Sequence, residues 1–439
     1  MGTAIVWFRR DLRLGDNPAW AAATTGHDEV VALYVLDDRL LGPAGPFRRR
    51  QLLANLHALD AALQERGGRL SVRNGDPTDV VAAEARRLES EAVYANADVT
   101  PFASARDEVT ETALGTVPLR WTWGGLVHPP GTVRTAKGHL SRVFTPFHKA
   151  WEQTPLEPWP SPGPASVAAV PGWSCPAPDG DPPYAPGEDA ALDRLDAWLE
   201  RVDHYGETRD LPGVRGTSEL SSDLRFGTIS PRTVLTATGH SSSGRAAFVR
   251  QLAWRDWYAH MTLLHPDIAN APVQEGFRAI RWRRDDDGFE AWKEGQTGFP
   301  IVDAGMRQLA QTGWMHNRVR MITASFLVKD LLIDWRRGER WFRHLLVDGD
   351  VPQNAGNWQW VAGTGPDAAP YFRILNPTVQ SRRFDPSGTY IRAWVPELAH
   401  LDDHQIHEPA GAAAGYPRPI VDHREARERA LAAYGRARH

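Results

Sequence analysis

Two hydrophobic periods divide the chain. Over the first 125 residues, short apolar runs at 4–8, 30–36, 70–72, 92–94 and 117–121 predict strands. Amphipathic stretches lie between them, the clearest at 47–66, where Leu52, Leu56, Leu59 and Leu63 recur at spacings of three and four. Alternation of this kind predicts a parallel, Rossmann-like α/β sheet with helices on both faces, and such sheets bind ligands beyond the carboxyl ends of their strands. No G-x-G-x-x-G follows the first strand and no Walker A sequence occurs, which argues against a nucleotide held by either loop.

From 131 to 187 the pattern breaks: 12 of the 34 prolines fall there, so regular structure is expected only near 141–151. Beyond 188 the period is helical, with helices predicted at 189–201, 231–238, 245–264, 301–312, 315–333 and 339–346. The predicted organisation is an α/β domain over 1–128, a proline-rich linker over 129–188, and a larger all-α domain over 189–439.

Composition narrows the class. At 439 residues and 48.8 kDa the chain can bury large cores. Cys175 is its one cysteine, so it holds no internal disulfide and no cysteine zinc cluster, which suits the cytoplasm. The N-terminus lacks a secretory pattern and no run approaches a membrane span, so a soluble protein is expected. The net charge of -4 gives no global attraction to nucleic acid, so any basic surface must be local. Eighteen tryptophans against 9 tyrosines suggest base stacking or one-electron chemistry, since the indole offers a wide π-face.

Candidate chemistry gathers in the helical part. Residues 245–345 hold 16 basic and 12 acidic side chains, an excess that a solvated helix surface could also produce. Gln251, Trp254 and Tyr258 fall at i, i+3 and i+7, so one helix face carries an amide, an indole and a phenol. Trp314, Asn317 and Met321 repeat the spacing. Ordinary core packing explains most such aromatic stripes, but core helices seldom bury amides without partners.

GFPIVDAGMRQL from Gly298, WMHNRVRMITASFLVKDLLIDW from Trp314, DGDVPQNAGNWQW from Asp348, GPDAAPYFRILNP from Gly365 and the opening VWFRRDLRLGDN resemble the photolyase and cryptochrome flavoproteins, specifically the bacterial cyclobutane pyrimidine dimer photolyases. The resemblance covers essentially the whole chain. It implies light-driven repair of UV-damaged DNA by electron transfer from photoexcited FADH- to a flipped-out dimer, a base-flipping strategy. In this resemblance GTSELSSDL is the flavin phosphate loop, with Thr217, Ser218, Glu219, Leu220 and Ser221 helped by Tyr205. Phe248, Arg255, Trp314, Asn317, Arg320, Asp348, Gly349, Asp350 and Asn354 complete the FAD site. Trp254 and Trp360 wall the dimer, and Gln251, Tyr258, Asn317 and Met321 line its pocket. Arg209, Arg318 and Gln380 touch the DNA strand. Trp282, Trp335 and Trp358 match the electron-transfer chain that reduces the flavin. A monomer with no obligate protein partner, no membrane and no metal is expected.

Two positions depart from the dimer-repairing pattern. Gln251 stands where those enzymes carry a glutamate, and Asp256 replaces a second, nearby one. Glutamine donates N–H bonds to a pyrimidine carbonyl but supplies no proton. Asn317 and Met321 occupy positions where the (6-4) reaction needs two histidines, which favours dimer splitting. The alternative is a cryptochrome-like blue-light photoreceptor with weak or no repair activity. For the second, antenna chromophore, DVTPFASARD from Asp98 lacks the asparagine and glutamate pair of the folate-type enzymes, so an 8-hydroxy-5-deazaflavin is expected, with methenyltetrahydrofolate or FMN as alternatives. His400, His404 and His407 are expected to be solvated loop residues rather than metal ligands.

Overall fold

The computed structural model describes residues 2–170, 175–409 and 415–437. Backbone contacts divide it into two compact units, Met1–Asp203 with Ser218–Pro266, and His204–Thr217 with Asp267–His439.

In the first unit all five predicted strands form: β1 (Thr3–Phe8), β2 (Glu29–Leu36), β3 (Leu70–Asn74), β4 (Ala92–Asn96) and β5 (Leu119–Thr122). They are parallel, in the order β3-β2-β1-β4-β5. Ala4 to Phe8 of β1 are buried, as expected of a central strand covered by helices on both faces. Three crossover helices, Pro18–Gly26, Pro77–Arg87 and Pro101–Leu114, share one start signal. Asn17, Asp76 or Thr100 accepts a first-turn N–H, and proline follows, where its missing donor costs nothing.

The proline-rich stretch is more structured than expected. A two-residue strand, β6 (Ser166–Val167), pairs with β2. The helix expected near 141–151 spans Phe144–Gln153, and its apolar Phe144, Phe147 and Trp151 are all buried, one face at spacings of three and four.

The second unit is helical around a core that includes Trp292, Val302, Leu309, Phe326 and Trp335. The Pro300–Thr312 and Asn317–Ser325 helices approach closely at Gly305, where a Cβ would come within 2.4 Å of Val319. The single helix expected over 315–333 does not form. It ends at Ser325, widens into a π-turn over Phe326–Asp330, and stops before Leu332, whose φ is 53°. The irregular turn accompanies the burial of two charged side chains. Lys329 donates to the carbonyls of Ala362 and Tyr371 at 2.9 and 3.3 Å and lies 3.6 Å from the Tyr434 ring centre, while Asp330 bonds His423. Burial pushes the Lys329 amine down to about 7.

His400 and His404 are exposed as expected, but His407 is buried, its Nδ1 bonded to Ser381 at 2.7 Å. Among the described residues no helix is long and apolar enough to cross a membrane.

Candidate functional site

In the first unit the site residues rise from the 22-residue Ser243–Leu264 helix, capped by Ser242. Gln251 donates to the Ala247 carbonyl at 3.0 Å, which leaves its second N–H and its carbonyl oxygen for other partners. The Trp254 indole stacks on Phe144, with ring centres 3.5 Å apart and planes 8° from parallel. Tyr258 and Phe248 are buried, and Tyr258 tilts against Trp254 at 5.8 Å. Arg255 donates to the carbonyls of Gly125 and Leu224, the latter at 3.0 Å.

Asp256, by contrast, turns away from the Gln251 face. Five residues beyond Gln251, it points about 140° around the helix from it. There it is wholly buried and accepts from the Val127 and His128 N–H groups at 3.2 and 3.0 Å and from the Trp151 indole at 2.8 Å. Burial raises its carboxyl to about 6 against the pull of these donors.

The hydroxyl loop leads into the Ser221–Phe226 helix, whose start has no side-chain cap. Ser218 accepts the Leu220 N–H at 3.3 Å, and Glu219 sits in the left-handed region at φ 57°. Left-handed backbone at a non-glycine residue persists only where surrounding structure demands it, often at ligand clamps.

In the second unit Arg320 and Asp348 form a bidentate pair at 2.8 and 3.1 Å, and Arg320 Nε also holds the Met315 carbonyl at 2.8 Å. Gly349 and Asp350 follow Asp348 and are buried, at the entry to the Val351–Ala362 helix. From that helix Asn354 donates to the backbone carbonyl and the carboxylate of Glu339, both at 2.9 Å. Asn317 and Met321 meet at 3.9 Å on successive turns, and Trp314 stands edge-on to His316. Burial drives the His316 imidazole down to about 4, and its Nε2 has no hydrogen-bond partner among the described residues. Thr217, Trp360 and Gln380 are partly exposed.

Of the three chain tryptophans, Trp335 and Trp358 are buried and Trp282 is partly exposed. Trp358 packs where Gly338 has no side chain, and Trp282 stands edge-on to Tyr434, with ring centres 6.1 Å apart. Two of the three expected DNA contacts are engaged within the protein. Arg318 pairs with Asp210 at 2.8 Å and covers Phe384, and Arg209 covers the buried Tyr205.

At the carboxyl ends of β1 and β4, the 98–107 segment joins a cluster of ion pairs. Asp107 binds Arg9 and Arg106, each at 2.7 Å, and both guanidinium groups lie 4.9 Å from the Trp7 ring centre. Asp98 pairs with Arg10 at 3.1 Å. Burial pushes its carboxyl up, but the guanidinium and the Thr100 N–H outweigh this and hold it well below the usual carboxylate range.

Glu339, Asp210, His316 and Phe144 escaped sequence reasoning. Glu339, Asp210 and Phe144 act through neighbours distant in the chain, while His316, inside WMHNR, and Asp210, next to Arg209, lay beside residues already singled out.

Comparison with known proteins places the chain in a family. Residues 4–165 match the DNA photolyase family model, and 248–436 match the FAD binding domain of DNA photolyase. The chain belongs to the DNA photolyase family. It is 41% identical to a deoxyribodipyrimidine photo-lyase of Agrobacterium fabrum, over 98% of this chain and 97% of the relative. It is 40% identical to the enzyme of that name from Escherichia coli, over 100% and 99%. Among solved structures, a bacterial class III photolyase from Agrobacterium tumefaciens superposes with a TM-score of 0.93 at 40% identity, covering 100% of this chain and 98% of that one. An archaeal photolyase from Sulfolobus tokodaii, described with two FAD molecules, gives 0.91 at 33% identity, covering 99% and 100%. A Synechocystis cryptochrome gives 0.90 at 31%, covering 98% and 99%.

Proposed function

We infer that this chain is a light-dependent DNA-repair lyase that splits cyclobutane pyrimidine dimers. Similarity to deoxyribodipyrimidine photo-lyases over nearly the whole chain carries the reading and favours it over a photoreceptor.

The donor set fits a flavin dinucleotide. In the first unit an uncapped helix start behind hydroxyl side chains suits a pyrophosphate; in the second unit a fixed arginine–aspartate pair and, separately, an oriented amide suit the polar edge of a flavin ring. When bound and fully reduced, the flavin supplies the photoexcited electron that opens the dimer and recovers it afterwards. The protein residues do the holding. Ser218, Ser221 and the Glu219 turn take the phosphates, with Thr217 and Tyr205 adding their hydroxyls. Arg320 and Asp348 clamp the polar ring edge. Because the Asn354 nitrogen is committed to Glu339, its carbonyl oxygen is the atom offered to the ring, as an acceptor. Gln251 contributes an N–H to a pyrimidine carbonyl, Trp254 and Trp360 stack on the extruded bases, and Arg209, Arg318 and Gln380 hold the strand. Trp358, Trp335 and Trp282 pass electrons inward to restore the reduced cofactor.

A second, light-harvesting pigment is read as an 8-hydroxy-5-deazaflavin, supported by the absence of an asparagine and glutamate pair in 98–107. Chromatography of the pigment released from purified protein tests this. The cytoplasm and a monomeric state complete the proposal. The decisive experiment illuminates fully reduced protein with a dimer-containing single strand under blue light. Loss of dimers is expected, and none lost would move the assignment to a photoreceptor.

A further inference from the structure

The Phe144–Gln153 helix belongs to the proline-rich stretch, yet each of its apolar Phe144, Phe147 and Trp151 contacts the Ser243–Leu264 helix. It docks at three successive points. Trp151 donates to Asp256 at 2.8 Å, Phe147 meets the His260 ring edge-on at 5.1 Å, and Phe144 lies flat on Trp254. The first two anchors are buried and polar or edge-on, as core contacts usually are. The third differs, because the aromatic pair is parallel and one member, Trp254, remains partly exposed.

Parallel contact at 3.5 Å sets the Phe144 ring against one indole face. Trp257 stands perpendicular to both rings, 5.2 Å from Trp254 and 6.1 Å from Phe144, which limits rotation of either. The Arg250 guanidinium lies 4.9 Å from the Phe144 ring centre and helps fix that ring in turn. A partly exposed tryptophan would ordinarily sample several rotamers, and stacking a base on it would cost the entropy of choosing one. Here that choice is made before any ligand arrives.

We propose that Phe144 is a positioning residue for lesion recognition, holding the Trp254 indole so that its open face receives the everted pyrimidine dimer. This rests on the reading of Trp254 as a wall of the dimer pocket. Phe144 touches neither DNA nor flavin in this scheme. Its contribution passes through Trp254 alone, and it should appear as selectivity for damaged strands rather than as rate.

The test compares flavin-loaded wild type, Phe144→Leu and Phe144→Tyr for binding of a dimer-containing single strand and of the same strand undamaged. Leucine keeps the apolar bulk and removes the plane. Since base–aromatic stacking governs such contacts, Phe144→Leu is expected to weaken binding of the damaged strand about tenfold, or about 1.4 kcal/mol. Undamaged binding and turnover at saturating DNA should stay within about twofold, the mark of lost binding rather than lost chemistry. Phe144→Tyr should restore selectivity, and Phe144→Leu should add nothing in a Trp254→Ala background. If leucine lowers the melting temperature, Phe144→Met carries the same comparison. The proposal is overturned if the leucine variant keeps wild-type selectivity, if both strands weaken equally, or if tyrosine fails to rescue. A wild type that does not prefer the damaged strand would instead overturn the repair reading, and this proposal with it.

Discussion

The amide nitrogen of Asn354 donates to both the backbone carbonyl and the carboxylate of Glu339, each at 2.9 Å, and Glu339 is held in turn by Arg343 at 3.1 Å. Both partners are acceptors, so the amide has only one stable orientation. Fifteen residues separate the pair, which sits on two different helices, and neither helix alone discloses it.

That relationship sets the first expectation. Glu339→Gln replaces a charge-assisted bond by a neutral one, which is worth about 1 kcal/mol less. The Asn354 carbonyl should then be less firmly presented, and reduced flavin should reoxidise in air roughly five times faster, the rate change that about 1 kcal/mol corresponds to. Stopped-flow absorbance checks this, and an unchanged rate shows that Glu339 does not orient the amide.

Gly338→Ala tests the packing behind the tryptophan chain. A Cβ at Gly338 would fall 2.2 Å from Trp358 and 2.5 Å from Leu327, so a ring in a close-packed core must shift. A stability loss of about 1–3 kcal/mol is expected, as for other overpacked cores. Light-driven reduction of oxidised flavin should slow as well. Denaturant titration and illumination with an added thiol measure the two effects separately.

Much of the fold was legible because its signals are local. Five strands are short apolar runs, three of them followed by a capping residue and proline, and all five appear. The strand Ser166–Val167 was not legible, since two residues carry no period and its partner β2 lies far away in the chain. The break after Ser325 was hidden for a related reason. FLVKDLL continues the apolar pattern, and the burial of Lys329 depends on carbonyls from Ala362 and Tyr371. At the site, the face shared by Gln251, Trp254 and Tyr258 followed from helix geometry alone. That Asp256 turns inward to the Val127 and His128 N–H groups was not legible, because those partners lie far away in the chain. Phe144 was missed because nothing in a proline-rich stretch marks the ring that Trp254 rests on.

Asp256 yields an expectation about pH. Its folded value of about 6 lies above the ordinary 3.8, so the folded state keeps a proton that the unfolded chain releases between them. The contribution is therefore complete below pH 3.8 and is lost as pH rises through about 6. The amide introduced by Asp256→Asn would not titrate, and its NH2 would confront one of the N–H donors, costing about 1–3 kcal/mol. Across a pH series of denaturant titrations, the stability advantage of wild type over Asp256→Asn should narrow from about pH 4 to about pH 6. A constant difference would show that the buried carboxyl keeps one protonation state throughout.

Gln251→Glu is expected to raise the number of dimers split per absorbed photon. The present amide spends one N–H on the Ala247 carbonyl and has no proton to give. A carboxyl group cannot make that bond while ionised, so it is released from its own helix, and when protonated it can donate to a pyrimidine carbonyl. Quantum yields on a dimer-containing oligonucleotide decide the matter, and an equal or lower yield rejects this role for position 251.

Arg318 and Asp210, paired at 2.8 Å, bear on how tightly the strand is held. An arginine already neutralised by a carboxylate must leave it to bind phosphate, so the pair sets a cost on every binding event. A partly exposed pair of this kind is worth at most about 1 kcal/mol. Asp210→Asn should therefore tighten binding of damaged and undamaged single strands alike, by up to about fivefold at low salt. Arg318→Ala should weaken both and lower the slope of log affinity against log salt by about 0.7, the loss of one phosphate contact on a single strand. If Arg318→Ala instead leaves the slope intact and lowers only the melting temperature, the arginine serves the fold through Asp210 and the Phe384 ring it covers, and strand contact must be sought among the other exposed cations.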